Sequence, residues 1–480
     1  MPEFTIKGFN KYADENKSLL QKALTSATGV GGALIPENLE KEITNTIIRM
    51  SPEIAILEPG FKKIAGKTHE FNRLTALPGI GGAQGESSTT PTRNSTTVRD
   101  TVTLKIVKRK GAVTNFLQDT SEENIDAAAY EMENHITSHI YDLINYFLYG
   151  NPNGNKYEYG GLDNFIGNAG NNNRKNEARF GQTPTSLKFL DDMIDISDRK
   201  GGSSHRRAFL MSPEMLSHCS RLLTNVRINQ ESVGKGLSIV EIPGGWRLFS
   251  YRDIPIVPSA QTRNTNTMGT VTPSAAGAGS GLTDATYYFK VAKVTQDGES
   301  LAHASNVTTS SNDTITLTWT AETDAYRFKI YCSTTQHAET LVAEISGFNY
   351  DATGNITANT TTVTFSTDPN SANPTISAPA NLILAISGNT VPSYMQSDIS
   401  FEQDSGHDVP EIVALWDLDP IQGLGKVPYT NRGGSNFGGL VTTKELAEVD
   451  DYMQFLVKSY PALAPSYDGT SVWHRGKRTY

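Results

Sequence analysis

His135 and His139 stand four residues apart in a stretch of helical periodicity, with Glu131 one turn further back, so the three side chains share one helix face. Imidazoles at that spacing can hold a divalent metal, but a zinc protease needs His-Glu-x-x-His, and Ile136 follows His135. Solvation or hydrogen bonding is the commoner use of such a pair. The run GFKKIAGKT, Gly60 to Thr68, approaches a phosphate-binding loop. It places five residues between Gly60 and Gly66 where the loop needs four, and HEFNRL after it has strand character where a helix N-terminus should face the anion. That pattern predicts a turn between strands. Asp404, Asp408, Asp417 and Asp419 offer oxygens to a hard cation without the spacing of a cation loop, which favours a solvated acidic face. No Gly-x-Ser-x-Gly elbow, Cys/His nucleophile pair or dinucleotide glycine fingerprint occurs. No catalytic, metal-ligating or cofactor-binding residue is therefore assigned, and the chemistry points away from an enzyme.

The elements that would position these residues belong to a chain of 480 residues, 37% hydrophobic and 19% charged, ample for packed cores and too weakly charged for disorder. Its length suggests roughly three structural units at about 150 residues each. No run approaches the roughly 18 apolar residues of a membrane-spanning helix, and MPEFTIKGFNKYADENK lacks the apolar centre of a secretory signal; the expectation is a soluble protein. A formal charge of −9 argues against a protein dedicated to bare nucleic acid. Charge is also unevenly spread. No Lys or Arg occurs from Ile330 to Gly425, whereas basic residues gather at Lys105 to Lys110, Arg199 to Arg207 and His474 to Arg478. Cys219 and Cys332 fall in segments of different composition, so the reading is no disulfide and a reducing site of synthesis.

The opening segment, to about Gly32, is polar with scattered apolar residues and needs a neighbour to lie on; Ile35 to Met50 reads as a short helix. GFKKIAGKTHEFNRL and TVTLKIVKRKGAVTNF read as two strands joined by the Gly/Ser/Thr-rich ALPGIGGAQGESSTTPTRNST. Such a hairpin is marginal alone. Thr120 and Glu123 have capping-box spacing, and apolar residues recur from Ile125 to Phe147, predicting a helix of about 30 residues that stops at Gly150. Ser186 to Lys200 and Ser212 to Asn225 read as helices around the strand RRAFLMSP, and Arg247 to Pro258 as strand. Near Arg263 the composition turns to Thr, Ser and Asn: NTNTMGTVTPSAAGAGSGLTD reads as a linker. Strands at 287–294, 314–319, 326–332 and 340–345 then predict a small β-sandwich with Tyr288, Val291, Leu317, Trp319, Phe328, Ile330 and Val342 in its core. Leu382 to Ile386 resumes an apolar host strand, so the sandwich reads as an insertion. Further on come a strand at EIVALWDLD, a Gly-rich loop and a helix near Thr443 to Lys458.

The succession of arm, GGALIPE, a long loop between two strands, VTNFLQDTSEENIDAAAYEMENHI on a long helix and LYGNPNGNKYEYGGLDNFI resembles the major capsid proteins of tailed bacteriophages, which share the Hong Kong 97-like fold. The resemblance covers about Gly31 to Pro258 and resumes loosely after Leu382. It implies an α+β fold with an N-terminal arm (1–32), the N-terminal part of a peripheral domain (33–60), an E-loop (61–113), and the peripheral domain with its spine helix (114–185). An axial domain (186–262 and 382–419) would follow, interrupted by an inserted immunoglobulin-like or fibronectin type III-like domain (263–381), with 420–480 unassigned or peripheral. The function it implies is the icosahedral head shell of a double-stranded DNA bacteriophage, made in the host bacterial cytoplasm and located in the virion. The implied partners are the chain itself in hexamers and pentamers, a portal protein, an optional decoration protein, and packaged double-stranded DNA through weak nonspecific contact, with no membrane. About 30 residues before GGALIPE leave no room for a scaffolding segment, so a separate scaffolding protein is expected. Gly79, Gly81, Gly82 and Gly85 at the E-loop tip become inter-subunit contacts, and Lys105, Lys108, Arg109 and Lys110 basic inner-surface contacts. Lys62, Lys63 and Lys67 are positioned as crosslink donors, but no feature marks an Asn acceptor. The stretch free of basic residues fits a sandwich facing solvent. The alternative is a phage surface or tail adhesin whose immunoglobulin-like domain binds a host receptor or carbohydrate.

Overall fold

In the computed structural model, residues 52–479 are described, apart from 80–82, 84–91, 122–125, 153–155, 167–176, 181–183, 203–205, 228–237, 243–245, 263, 265, 278–281, 311–312, 337–338, 352–354, 370–375, 378–381, 385–407, 431–438, 448–450 and 468. The expected arm, the helix at 35–50, Gly81, Gly82, Gly85 and Asp404 lie outside these residues.

A seven-stranded mixed sheet organises the host part, in the order Glu177–Phe180, Val472–Thr479, Asp408–Asp417, Arg207–Met211, Ile254–Pro258, Trp246–Tyr251 and Ser238–Ile242. Strand side chains alternate between faces, and here both faces are apolar. Phe209, Met211, Val413, Leu415 and Ile256 pack with Phe189, Leu190 and Met193 of the helix Lys188–Arg199 and with Met215 and Cys219 of the helix Pro213–Arg227. Ala208, Leu210, Ala414, Trp416 and Val257 face a second core built around the helix Ala127–Tyr149. The expected helix, strand, helix and strand between 186 and 258 are thus present. Trp246–Tyr251 and Ile254–Pro258 are two strands rather than one, joined at Arg252 and Asp253, whose φ values of 50° and 66° suit a two-residue hairpin turn. Val472–Thr479 lies inside this sheet, so the last residues of the unassigned 420–480 segment are part of its framework.

The long helix starts later than the capping-box spacing implies. Its first turn is capped by Asp126, which accepts from the Ala129 backbone N–H at 3.0 Å. Thr120 instead closes the separate short helix Asn115–Ser121, donating to the Phe116 carbonyl at 2.8 Å. The 23 residues Ala127–Tyr149 span ~35 Å. From His139 to Tyr149 nearly every side chain is buried, so this half is enclosed on all sides. The chain then doubles back through Gly150 and Gly161, where an added Cβ would lie 2.3 Å from the Tyr159 carbonyl and 2.5 Å from the Gly150 nitrogen.

The expected loop 61–113 divides into two structures. Thr68–Ala76 and Thr96–Thr103 pair only with each other, forming a projecting hairpin. Val107–Thr114 pairs instead with Tyr452–Ser459, which pairs with Thr442–Glu445, a three-stranded sheet against the long helix. The helix expected near Thr443 to Lys458 is therefore a β-hairpin. Phe455 and Val457 alternate inward in it, and the Phe455 ring occupies the space a Cβ on Gly111 would need. Phe61–Lys63 forms a short strand parallel to Val427–Tyr429, and the turn at 65–67 leads into strand, as GFKKIAGKT predicts.

The β-sandwich is present and larger than expected. One sheet runs Val271–Gly277, Asp313–Trp319, Thr362–Phe365 and Ile376–Ser377. The other is seven-stranded, centred on Thr286–Thr295, Arg327–Ser333 and Thr340–Tyr350. Phe289 meets Phe365 (5.9 Å between rings) and Trp319 meets Phe328 (4.9 Å) across the shared core. Val291, Leu317, Trp319, Phe328, Ile330 and Val342 are buried as expected; Tyr287 rather than Tyr288 points inward. TVTPSAAG, read as linker, is the edge strand Val271–Gly277. Leu382–Leu384 pairs with Thr340–Tyr350, so it closes the sandwich instead of resuming the host. The first described strand pairs with the fifth, Asp313–Trp319, while the second lies in the opposite sheet. An immunoglobulin-like order would put the first two together.

Candidate assembly surfaces and the seam beneath them

The hairpin is exposed along nearly its whole length. Leu74 (54% exposed), Leu77 (75%) and Val98 (42%) stand in solvent, and only His69 among its residues is buried. Arg73 and Asp100 form an ion pair at 2.9 Å across its two strands, fixing register without supplying a core. Gly79, exposed beyond the last hairpin pair, lies beside the Arg93 guanidinium. Phe116 (73% exposed) and Leu117 on the short helix before the spine add a second apolar projection.

The four basic residues expected on one inner surface separate. Lys108 and Lys110 are exposed on one face of Val107–Thr114. Arg109 points to the other face, where its Nε and Nη2 donate to the two oxygens of Asp142 at 2.5 and 2.9 Å. Period-two alternation dictates this split. Lys105, outside the strand, is half-buried and donates to the Lys156 carbonyl at 2.5 Å.

Asp142 opens a polar seam between the long helix and the sandwich. It also accepts from the Tyr326 hydroxyl. Asn145 donates to the Thr295 carbonyl at 2.7 Å, Tyr149 to the Gln261 carbonyl at 2.5 Å, and Asn151 to Glu344 at 2.9 Å. Arg327, 2% exposed, lies 2.7 Å from Glu158 and 3.6 Å from Glu344, while Lys329 lies 3.2 Å from Glu299 and 3.5 Å from Asp163. Burial pushes the Glu344 carboxyl upward, and the Lys329 and Arg327 charges oppose that rise. Gly298, at φ +97°, sits where a Cβ would meet the Gln261 carbonyl and the Tyr149 hydroxyl. The sandwich face carrying Arg327 and Lys329 is thus covered by the host rather than facing solvent. Sequence reasoning did not find this seam. Its one local signal is Asp142, a carboxylate in the apolar run IYDLINYFLY.

The other candidate chemistries are consumed locally. His139 is fully buried, its Nε2 2.9 Å from the Ser459 hydroxyl, and burial depresses its pKa to about 4. His135 stands edge-on to Phe455 and 4.0 Å from Glu131. Among the described residues no three His, Cys, Asp or Glu side chains gather as metal ligands. Asp417 accepts from the Thr470 hydroxyl and the Asp419 N–H, and Asp419 accepts from the N–H groups of Ile421 and Gln422, so both carboxylates shape a turn. Cys219 and Cys332 are buried in different cores and form no disulfide. No described helix is long and apolar enough to cross a membrane.

No protein-family profile matches the chain, and no curated protein matches it. Among solved structures, the cyanophage A-1(L) capsid overlaps 94% of this chain and 99% of its own at 11% identity, with a TM-score of 0.45. The capsid of a native GTA particle overlaps 95% and 99% at 9% identity and 0.44. The holo-SrpI encapsulin complex of Synechococcus elongatus overlaps 93% and 95% at 11% identity and 0.42. With TM-scores below one half, these are likenesses of overall course and do not by themselves fix the fold.

Proposed function

We propose that this chain is a non-enzymatic structural protein that assembles with copies of itself into a closed shell, with the Hong Kong 97-like capsid arrangement of projecting loop, spine helix and axial domain. The observation that carries the reading is the hairpin Thr68–Thr103. It exposes Leu74, Leu77 and Val98, pairs with no third strand among the described residues and shares little of the described core. An isolated two-stranded ribbon is marginal in water, and exposed apolar side chains along it gain free energy when a neighbour covers them. Phe116 and Leu117 supply a second such contact, so interfaces would be distributed around the protomer.

The finer reading is the head shell of a tailed double-stranded DNA bacteriophage, with hexamers and pentamers, a separate scaffolding protein, a portal and an optional decoration protein. Lys108 and Lys110 would meet packaged DNA weakly, and the sandwich, immunoglobulin-like in its paired antiparallel sheets though not in strand order, would be an outer lobe. The loop assignment narrows to 68–103, and the sandwich assignment shifts to 264–384, taking in Leu382–Leu384. The test is negative-stain electron microscopy of the protein expressed with and without a candidate scaffolding partner. Closed shells or capsomer rings are expected, and Leu74→Asp with Leu77→Asp should leave soluble protomers. Monodisperse wild-type monomers under both conditions would overturn the proposal.

A further inference from the structure

Where the hairpin joins the body, the surface forms a half-open cavity of about 490 Å³. Lys67 enters it just before the first hairpin strand and Lys105 just after the second. Lys156 reaches it from the loop following the long helix. Ile106 and the rings of Tyr157 and Tyr460 form apolar walls. Among the described residues, none of these three ammonium groups has a carboxylate partner. Lys105 donates one N–H to the Lys156 carbonyl and Lys156 lies 5.1 Å above the Tyr157 ring, leaving further donors on both. Like charges around one concavity repel unless an anion is shared among them. Burial and the nearby Lys67 charge both depress the Lys105 pKa, as expected where such a counter-charge is missing. Ile106, 64% exposed, is an apolar side chain left open beside these cations.

We infer that this cavity is a binding site for a small organic anion, a carboxylate or phosphate head held by Lys67, Lys105 and Lys156 on a short apolar or aromatic body packed against Ile106 and Tyr157. The volume falls within the range of about 300–1,000 Å³ usual for small-ligand sites. Mixed walls favour an organic anion over a bare inorganic one, whose desolvation against Ile106 and the rings would go uncompensated. Bound there, the ligand would touch both roots of the hairpin and the loop after the long helix, tying the hairpin to the body. The Leu104 N–H to Lys67 carbonyl bond, 2.9 Å, already joins those roots.

The test is isothermal titration of the full-length chain with phenyl phosphate, with benzoate, inorganic phosphate and benzyl alcohol as parallel arms. One phenyl phosphate or benzoate per chain is expected, the tighter of the two identifying the head group. Inorganic phosphate should bind at least tenfold more weakly than phenyl phosphate, and benzyl alcohol should not bind. Lys105→Gln should weaken the organic anion at least tenfold; exposed Lys156→Gln should weaken it several-fold and serves alone if the first variant does not fold. Failure of both organic anions to bind, unchanged affinity in a folded variant, or equal binding of benzyl alcohol or inorganic phosphate would overturn the assignment.

Discussion

Glu53 and His139 are buried ionisable groups whose pH effects oppose each other. Glu53 is 2% exposed, and burial raises its pKa to about 7 despite a hydrogen bond involving Ser259. In the unfolded chain it ionises near 4.5, so between those values the unfolded state has lost its proton and the native state keeps it. Stability therefore falls as pH rises from about 4.5 to 7, by about 3 kcal/mol in all. His139 runs the other way: its native pKa of about 4 lies below the ordinary 6.5. Its contribution is complete above pH 6.5 and is lost as pH falls toward 4, and His474, also depressed to about 4, acts with it. Denaturant unfolding of Glu53→Gln should match wild type near pH 4.5 and exceed it by about 2–3 kcal/mol at pH 8. An advantage equal at both pH values would mean the carboxyl is not the titrating group.

At the scale of elements, Arg109–Asp142–Tyr326 links three parts of the chain: a strand, the long helix and the sandwich. Asp142→Ala should cost about 3–5 kcal/mol because it leaves the Arg109 guanidinium part-buried without its carboxylate. Adding Arg109→Leu should recover a large share of that loss, and a double-mutant cycle by denaturant unfolding would read the coupling. Additive single effects would mean the pair is not coupled.

This seam also marks what the sequence could and could not disclose. The helices and strand around Phe209, and most sandwich strands, were legible because periodicity reports which local face is apolar. The helix start was misread because Thr120 and Glu123 have capping-box spacing, whereas the residue that caps the helix is Asp126, with Ala129 where the box would have Glu. Tyr452–Ser459 was misread as helix because a short apolar run has no unique period, and its strand partner Val107–Thr114 lies more than 300 residues away. Arg327 and Lys329 alternate on a strand as outward residues should; that their outward side is another part of the same protein is a nonlocal fact. At the candidate surfaces, the hairpin was legible as an element lacking a core. Alternation along KIVKRK separates Arg109 from Lys108 and Lys110, but its Asp142 partner and the cavity around Lys105 were not legible, since both depend on distant packing.

For the whole molecule, the sandwich is built into the rest of the chain. Its excision, from 264 to 384, looks permissible if the sandwich is an autonomous lobe. Instead it would strip Arg327 from Glu158 and Tyr326 from Asp142, leaving formerly buried carboxylates to reorganise around lost partners. Deletion of 264–384 with a short linker should therefore give a protein that unfolds at least 10 °C below the full chain by differential scanning calorimetry. Neutralising Asp142 and Glu158 as Asn and Gln in the deletion should restore part of the difference. A deletion unfolding at the full chain's temperature would show that the seam contributes little to the host.

Gly298, packed against the Gln261 carbonyl and the Tyr149 hydroxyl, adds a close backbone approach to the hydrogen bonds and ion pairs that hold the sandwich on the helix. If copies form a closed lattice, every lobe would then stand at one fixed angle, and symmetry-averaged images would render the lobes as sharply as the shell floor beneath them.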